Sequence, residues 1–409
     1  MCQFKGIVAL DLINYSGLIN NKNLVIVYVK KSSLIHMKIL HFGKYYPPYF
    51  GGVEKVNYDI VESLNRKEEC QVDELCFAHA VGYEESFVPN GYKVIRVPIW
   101  GIKYSTPLPK GILKAFLSIR KDYDIVHVHV PNPIASIVSL LTPRKVKIVV
   151  HWHSDIIKQK ALLKLFRPFQ TAFLKRADAI IATSQNYVDA SEDLRPYVSK
   201  THVIPIGLDE KEMNYKTEDV EAIRKEYDGK KIVLCIGRLT MYKGHHYLIE
   251  AANHLPEDTV VLIGGVGELE AELKEQVRQQ RLENKVFFIG RIPQEKIYAY
   301  YKAADVFCIP STSRAEAFGV VLLEALAMGT PIVTCNIQGS GVPWVNQDGE
   351  TGFNVEPKNS KELAEKLNLL LSDDDLRVSM SEKCHKRFMD HFALDKMVEG
   401  TYKLYKSLF

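Results

Sequence analysis

The chain has 409 residues, 46% of them apolar and 25% charged, with 53 Lys and Arg against 49 Asp and Glu for a formal net charge of +4. That length exceeds what one core usually supports, and the balance is that of a globular protein rather than a disordered, collagen-like or membrane-spanning one. So small a net charge gives no electrostatic case for a nucleic-acid partner, and no aromatic-basic recognition module accompanies it.

In chain order, residues 1–36 are a poor fit to any element. Their apolar stretch is interrupted by Asp11 and Asn14, lacks a small-residue cleavage site, and is too broken for a signal peptide or a spanning helix. They are read as a leader that is disordered or not part of the native protein, with Met37 as the expected start. Met37-Lys-Ile-Leu-His-Phe then predicts a strand, followed by a Pro-rich loop and a helix from Val53 to Leu64. Gly51 and Gly52 open that helix and leave no side chain between backbone amides and an approaching phosphate. A Gly-Gly pair is also an ordinary turn.

Strand-like runs at 125–130, 147–150, 179–182, 232–236, 260–263, 286–289 and 306–309 alternate with helical stretches. This alternation predicts an α/β protein with two doubly wound parallel sheets. His127 and His129 share one face of their strand, as do His151 and His153. A metal pair is therefore geometrically possible, yet no carboxylate or Cys set stands at ligand spacing, and no metal is expected. Two basic stretches, 110–121 and 158–176, interleave Lys and Arg with Leu and Phe. Each reads either as a face for an anionic membrane surface or as a core-facing helix with a solvated rim.

A boundary is expected near Ile204-Pro-Ile-Gly-Leu-Asp209, where apolar periodicity lapses. The domains are read as 37–208, a linker at 209–230, 231–390, and a last helix within 391–409. After the boundary, Ile232-Val-Leu-Cys-Ile-Gly-Arg-Leu-Thr-Met-Tyr-Lys-Gly244 is a strand that breaks at Gly237. Arg238 and Lys243 follow on the loop, and two fixed cations there suit a diphosphate; two solvated basic residues are the plain alternative. Gly264-Gly-Val-Gly lacks the third glycine and the acid of a dinucleotide fingerprint, so it is read as a sharp strand–helix turn.

The densest signal is Arg314-Ala-Glu-Ala-Phe-Gly-Val-Val-Leu-Leu-Glu-Ala-Leu-Ala-Met-Gly-Thr-Pro331, after the buried strand-like run Val306-Phe-Cys-Ile309. Glu316 falls in the loop at the strand's carboxyl end. Glu324 falls one turn inside the helix that starts at Val320, on its apolar face. Free amides at a helix start, a dipole favouring anions and two hydroxyl-seeking acids surround one volume, which suits a phosphorylated sugar. Seven cysteines show no Cys-x2-Cys spacing, so buried reduced thiols are expected.

The last segment resembles the Glu-x7-Glu signature of retaining glycosyltransferases of family 4, which have the two-domain GT-B fold. Gly237-Arg238 with Lys243-Gly244 is similar to that family's donor motif, and Gly51-Gly-Val-Glu54 to its amino-terminal loop. The resemblance implies two Rossmann-like domains facing a cleft, the acceptor held by the first, the donor by the second, and the last helix crossing back. It implies catalytic roles for His153, Arg238, Lys243 and Glu316. Donor-side roles fall to Gly51, Gly52, Gly237, Gly290, Arg291, Phe318, Gly319, Val320, Leu323 and Glu324, with Glu316 on the sugar and Glu324 on the ribose. Arg291 would favour guanine.

Trp152-His-Ser-Asp-Ile-Ile-Lys-Gln-Lys160 looks like an element of members that mannosylate lipid-diphosphate oligosaccharides, which makes His129, Asp155 and Lys158 acceptor-side residues. The implied reaction takes a hexose, mannose from GDP-mannose, to a lipid-linked or cell-surface glycan, in O-antigen, lipopolysaccharide or polysaccharide assembly. It needs no cofactor and no metal, because the protein's own cations replace magnesium. The implied place is the cytoplasm, at the inner face of the membrane. A nucleotide-sugar epimerase, a phosphorylase or a non-catalytic nucleotide-sugar-binding protein of similar architecture are the alternatives.

Overall fold

The computed structural model describes residues 18–21, 24–27, 37–49, 51–83, 89, 91–103, 106–155 and 160–409. Within the first 36 residues, strands β1 (Leu18–Asn21) and β2 (Leu24–Val27) form an antiparallel pair, and the rest of that segment lies outside the described residues.

Two parallel sheets organise the chain. The first contains β3 (Met37–Phe42), β4 (Cys70–Phe77) and β5 (Val94–Val97), then, after the antiparallel hairpin β6 (Ile99–Lys103) and β7 (Thr106–Pro109), also β8 (Ile125–Val130), β9 (Lys147–Trp152), β10 (Ala179–Ala182) and β11 (Thr201–Val203). Its order is β11-β10-β9-β8-β3-β4-β5. The second sheet contains β12 (Lys231–Ile236), β13 (Thr259–Gly264), β14 (Val286–Gly290), β15 (Val306–Ile309), β16 (Ile332–Cys335) and β17 (Gly352–Val355), in the order β14-β13-β12-β15-β16-β17. Helices between the strands cover both faces, which is why β8, β10, β13, β15 and β16 are buried at every position and read as unbroken apolar or near-apolar runs.

Strand order reverses between β3 and β8 in the first sheet and between β12 and β15 in the second. Helices leave such a switch point on opposite faces, so a crevice opens beyond the carboxyl ends of the two strands. The loops after these four strands therefore decide what the protein binds. The chain crosses between domains at residues 204–208 and returns at 392–394, where Leu208 N donates to Phe392 O at 2.9 Å and Leu394 N to Leu208 O at 2.9 Å. The final helix, Leu394–Lys406, then packs along the helix Gly52–Asn65 on the first domain.

The stretch read as a linker is not one throughout. Residues Thr217–Glu226 form a helix that packs on the helix Ile297–Ala303, and Arg224 Nη1 reaches Asp305 Oδ2 at 2.8 Å. Val220, Ile223 and Tyr227 sit at helical spacing and join the second domain's core, a stripe narrow enough to be hidden among the surrounding charges.

Candidate functional site

A cavity of about 470 Å³ lies between the two domains and is lined from all four switch-point strand ends: Gly52, Val53 and Glu54 after β3; His129 on β8 and Pro131 just after it; Tyr242 and Lys243 after β12; Ala315 to Val321 after β15. His153 and Ser154, at the end of β9, complete the first-domain wall, together with Lys44. The volume falls in the range of small-molecule sites.

Two helix starts aim at it. Gly319 takes φ +77°, a conformation that a side chain strains, and so turns the chain directly from the β15 loop into the helix Val320–Ala327. No side chain caps that helix, and Gly319, Val320 and Val321 line the cavity, so amide donors and the positive end of the helix dipole face the space. Across the cleft, Gly51 is the uncapped N-cap of the helix Gly52–Asn65, and nothing lies within 4 Å of where a Cβ on Gly52 would stand. Backbone can therefore meet an anion from both sides.

Lys243 supplies a buried cation. Its Nζ lies 2.6 Å from Glu316 Oε2, with both side chains about one-tenth exposed. Burial pulls the ammonium pKa down and the Glu316 carboxylate more than reverses this, so Lys243 ends above its ordinary range. Glu316 Oε2 also accepts from Ser311 Oγ at 3.1 Å, and Gly237 packs against the Lys243 stem, where a Cβ would stand 3.4 Å from Cε. Glu54 is held above the usual carboxylate range by burial, while Lys44 beside it lowers it in part.

Glu324 is half-buried and does not line the cavity itself; its Oε2 accepts from Tyr301 Oη at 2.7 Å, and burial pushes its carboxyl up to about 6 despite that bond. Leu323 packs in the core. Arg238 and Arg291 are exposed beyond the ends of β12 and β14. Gly290 takes φ +65° and accepts Gly265 N at 2.7 Å, tying those strand ends together.

Asp155 sits just outside the cavity with both oxygens engaged. Trp152 Nε1 and Ser191 Oγ each donate to Oδ1 at 3.0 Å, and Arg314 Nη2, from the second domain, donates to Oδ2 at 3.0 Å. Arg314 also donates to Gly339 O and Ala190 O and lies over the Tyr187 ring. Asp155 is thus an interdomain latch in this state. Lys158 lies outside the described residues.

Sequence reading reached His129, His153, Gly52, Lys243, Glu316, Phe318, Gly319 and Val320, which the fold brings to one cavity. It gave no role to Lys44, Glu54, Tyr242 or Ser311. Lys44 had a signal, a cation one residue past the glycine that ends a strand; Tyr242 and Ser311 had none, being ordinary loop residues placed by the fold. Among the described residues two buried triads, His41–His127–His129 and His129–His151–His153, hold ring nitrogens within 4.8 Å of one another.

Comparison with known proteins agrees with this geometry. Residues 50–212 match the family described as Glycosyltransferase Family 4, and residues 216–387 match Glycosyl transferases group 1. The O-antigen chain mannosyltransferase C of Escherichia coli is 35% identical over 380 residues, covering 91% of this chain and 99% of that protein. The D-rhamnosyltransferase WbpZ of Pseudomonas aeruginosa is 33% identical, covering 87% and 92%. Among solved structures, a sucrose-phosphate synthase from Thermosynechococcus elongatus superposes with a TM-score of 0.76 at 23% identity, covering 91% of this chain and 99% of that one. Anabaena Alr3699/HepE in complex with UDP gives 0.75 at 22%, covering 91% and 100%. With two facing parallel-sheet domains of GT-B type and both family regions in place, this chain belongs to the family 4 glycosyltransferases.

Proposed function

We propose that the chain is a retaining hexosyltransferase that moves mannose from GDP-mannose to a lipid-linked or cell-surface glycan in O-antigen or polysaccharide assembly. The observation that carries the reading is the convergence of Lys243, the Gly319–Val321 amides, Gly52, Glu316 and His153 on one interdomain cavity. Breaking a glycosyl–phosphate bond puts negative charge on the departing diphosphate and positive charge on the anomeric carbon. Donors aimed at the phosphate then stabilise the transition state more than the ground state. Lys243 and the amides serve the diphosphate, joined by Arg238 from the rim; Glu316 holds sugar hydroxyls, and Glu324 those of the ribose. Attack on the face from which the nucleotide leaves, with a phosphate oxygen taking the acceptor proton, gives retention. The mannose assignment is supported by the 35% identical mannosyltransferase.

The test is a panel of GDP- and UDP-hexoses with a lipid-linked glycan acceptor, reading product and anomeric configuration. Turnover of GDP-mannose with retention supports the proposal. Turnover of another donor only, or inversion, removes the corresponding part, and donor binding without turnover points to a binding protein.

We further propose that the first domain rests on an anionic membrane face. No helix among the described residues is long and apolar enough to cross a membrane. The hairpin β6–β7 exposes Trp100 and Ile102, the following helix Ile112–Ile119 exposes Leu113 and Leu117, and the helix Lys160–Arg176 exposes Leu165 and Phe169. Exposed Lys110, Lys114, Lys121 and Lys164 accompany them, the composition of an interfacial face. Flotation with anionic but not neutral vesicles is expected, and equal recovery with both would remove the idea.

A further inference from the structure

Five histidines lie under the cavity on one side of the first sheet: His41 on β3, His127 and His129 on β8, His151 on β9 and His153 just past its end, all buried. Their rings stack in a row, with centroids 4.3 Å apart for His41–His127, 4.7 Å for His127–His129 and 4.2 Å for His151–His153. The proposed mechanism uses His153 alone. The others are joined to it by a continuous chain of hydrogen bonds whose polarity can be worked out from its ends.

One end is Asn57, on the helix Gly52–Asn65. Its Nδ2 is buried without a hydrogen bond, on the side where Glu74 Oε1 lies beside Gly43, and its carbonyl oxygen faces His41. Asn57 Oδ1 stands 2.9 Å from His41 Nδ1, and an amide oxygen only accepts, so the proton is on His41 Nδ1. His41 Nε2 is then a lone pair that accepts from Tyr405 Oη at 3.0 Å. The Tyr405 oxygen in turn accepts from His127 Nδ1, and His127 Nε2 accepts from His151 Nδ1 at 3.3 Å.

This leaves His151 Nε2 as a bare lone pair, and that atom is buried with no partner. The opposite polarity would bury an N–H there unpaired, and would face a lone pair of His41 against the Asn57 oxygen. Unpaired buried donors are rarer than unpaired acceptors, so the His151 end selects the direction, and the Asn57 end agrees with its Nδ2 turned toward the Glu74 carboxylate.

The second branch leads to the cavity. His129 Nε2 stands 3.2 Å from His41 Nδ1 and takes a share of the same proton. His129 then carries its proton on Nδ1 and donates to His153 Nε2 at 3.0 Å. The remaining proton of His153 is on Nδ1, which has no partner among the described residues, on a side chain that lines the cavity. We propose that Asn57, His41 and His129 are positioning residues that lock His153 as its Nδ1–H tautomer, a neutral hydrogen-bond donor to an oxygen of the bound glycosyl unit.

The chemistry gives the lock a purpose, and this step rests on the glycosyl-transfer reading above. A neutral ring can donate to a sugar oxygen without opposing the positive charge that grows on the anomeric carbon, which an imidazolium would do. Burial keeps His153 neutral, its pKa lowered to about 3. The same stacked rings argue against the triads as metal sites, since their facing nitrogens are already paired with one another.

The tautomer can be read without substrate, by NMR of the ring nitrogens in full-length protein carrying 15N-histidine, with His153→Gln and His129→Gln to assign the signals. Protonated Nδ1 and unprotonated Nε2 on both His129 and His153 is the expected result. A His153 that is Nε2–H, or that exchanges between both forms, overturns the lock. So does one equivalent of zinc that survives dialysis against chelator and is lost in His129→Gln. In Asn57→Leu, mixed tautomers at His153 and kcat reduced at least about tenfold with donor KM unchanged are expected; an unaltered His153 spectrum overturns the role of Asn57. Because the spectrum needs no turnover, failure of every donor assay would remove the transferase reading while leaving the tautomer assignment standing.

Discussion

Lys243 Nζ and Glu316 Oε2 lie 2.6 Å apart, across the gap between the loops that follow β12 and β15. The residue proposed to receive the diphosphate and the residue proposed to hold the sugar are thus one buried ion pair before any donor arrives. An arriving diphosphate offers Lys243 more negative charge than one carboxylate does, and frees Glu316 to turn toward hydroxyls. Lys243→Ala should therefore lower kcat/KM by about 2–4 kcal/mol of transition-state stabilisation. Steady-state kinetics with the accepted donor checks it, and near-normal turnover removes Lys243 from the chemistry.

The same pair makes a stability prediction of the opposite kind. Glu316→Ala leaves a lysine that is about one-tenth exposed without its counter-charge. Breaking a buried pair in this way costs about 3–5 kcal/mol, so the Glu316→Ala, Lys243→Met double variant should unfold at higher urea than Glu316→Ala alone. Additive losses in urea titrations would show that the pair does not couple.

Arg314 and Asp155 predict control of the cleft. The Arg314–Asp155 bond joins the loop that carries Glu316 to the end of β9. Arg314→Ala removes charge-assisted bonds worth about 1.5–3 kcal/mol each to charged groups, and the Glu316 loop loses its tie to the first domain. Donor KM should rise and the radius of gyration from small-angle scattering should increase. An unchanged radius would mean that the latch does not hold the domains together.

Much of this site was legible in the sequence because strand ends and helix starts carry local signals. Gly237, Gly319 and the Gly51–Gly52 pair mark the turns, and Lys243, Glu316 and His153 stand beside strand ends. Other parts were not. Strand β4 contains Asp73 and Glu74, which interrupt its apolar run, and only the fold shows why they are tolerated: Gly43 N donates to Glu74 Oε1 at 3.0 Å, and Tyr123 Oη to Asp73 Oδ2 at 2.8 Å. Asp155 could be located beside the site but not given its partner, since Arg314 is 159 positions away in sequence. His41 likewise looked like one more strand residue until β3 paired with β8 and placed it opposite His127.

Five buried neutral histidines predict acid sensitivity. Burial lowers His41 to about 4 and His153 to about 3, and holds His127, His129 and His151 well below the ordinary value of 6.5. Below pH 6.5 the unfolded chain takes up protons that the folded one refuses, so stability is present above that pH and is lost as pH falls toward the folded values. Each such histidine adds a slope of up to about 1.4 kcal/mol per pH unit. Urea unfolding at pH 7.5, 6.5 and 5.5 should show a flat upper interval and a steep lower one, less steep in His151→Phe. Equal midpoints at all three would contradict neutral burial.

Glu324 predicts a different pH effect, on donor binding. Its carboxyl is pushed up to about 6 by burial, and the bond from Tyr301 offsets only part of that. Its proposed role is to accept ribose hydroxyls, and the ionised form is the one in which both oxygens accept. Protonation as pH falls through about 6 therefore weakens donor binding, and KM for the donor should be flat above about pH 7 and rise below the pKa. Glu324→Gln should abolish the bend and raise KM throughout. Tyr301→Phe removes the hydrogen bond that favours the carboxylate, so the pKa rises further and the bend moves to higher pH. Circular dichroism at each pH separates this from the acid unfolding expected of the histidines. A donor KM that stays level down to pH 5 in folded protein would mean that the hydroxyls are held elsewhere.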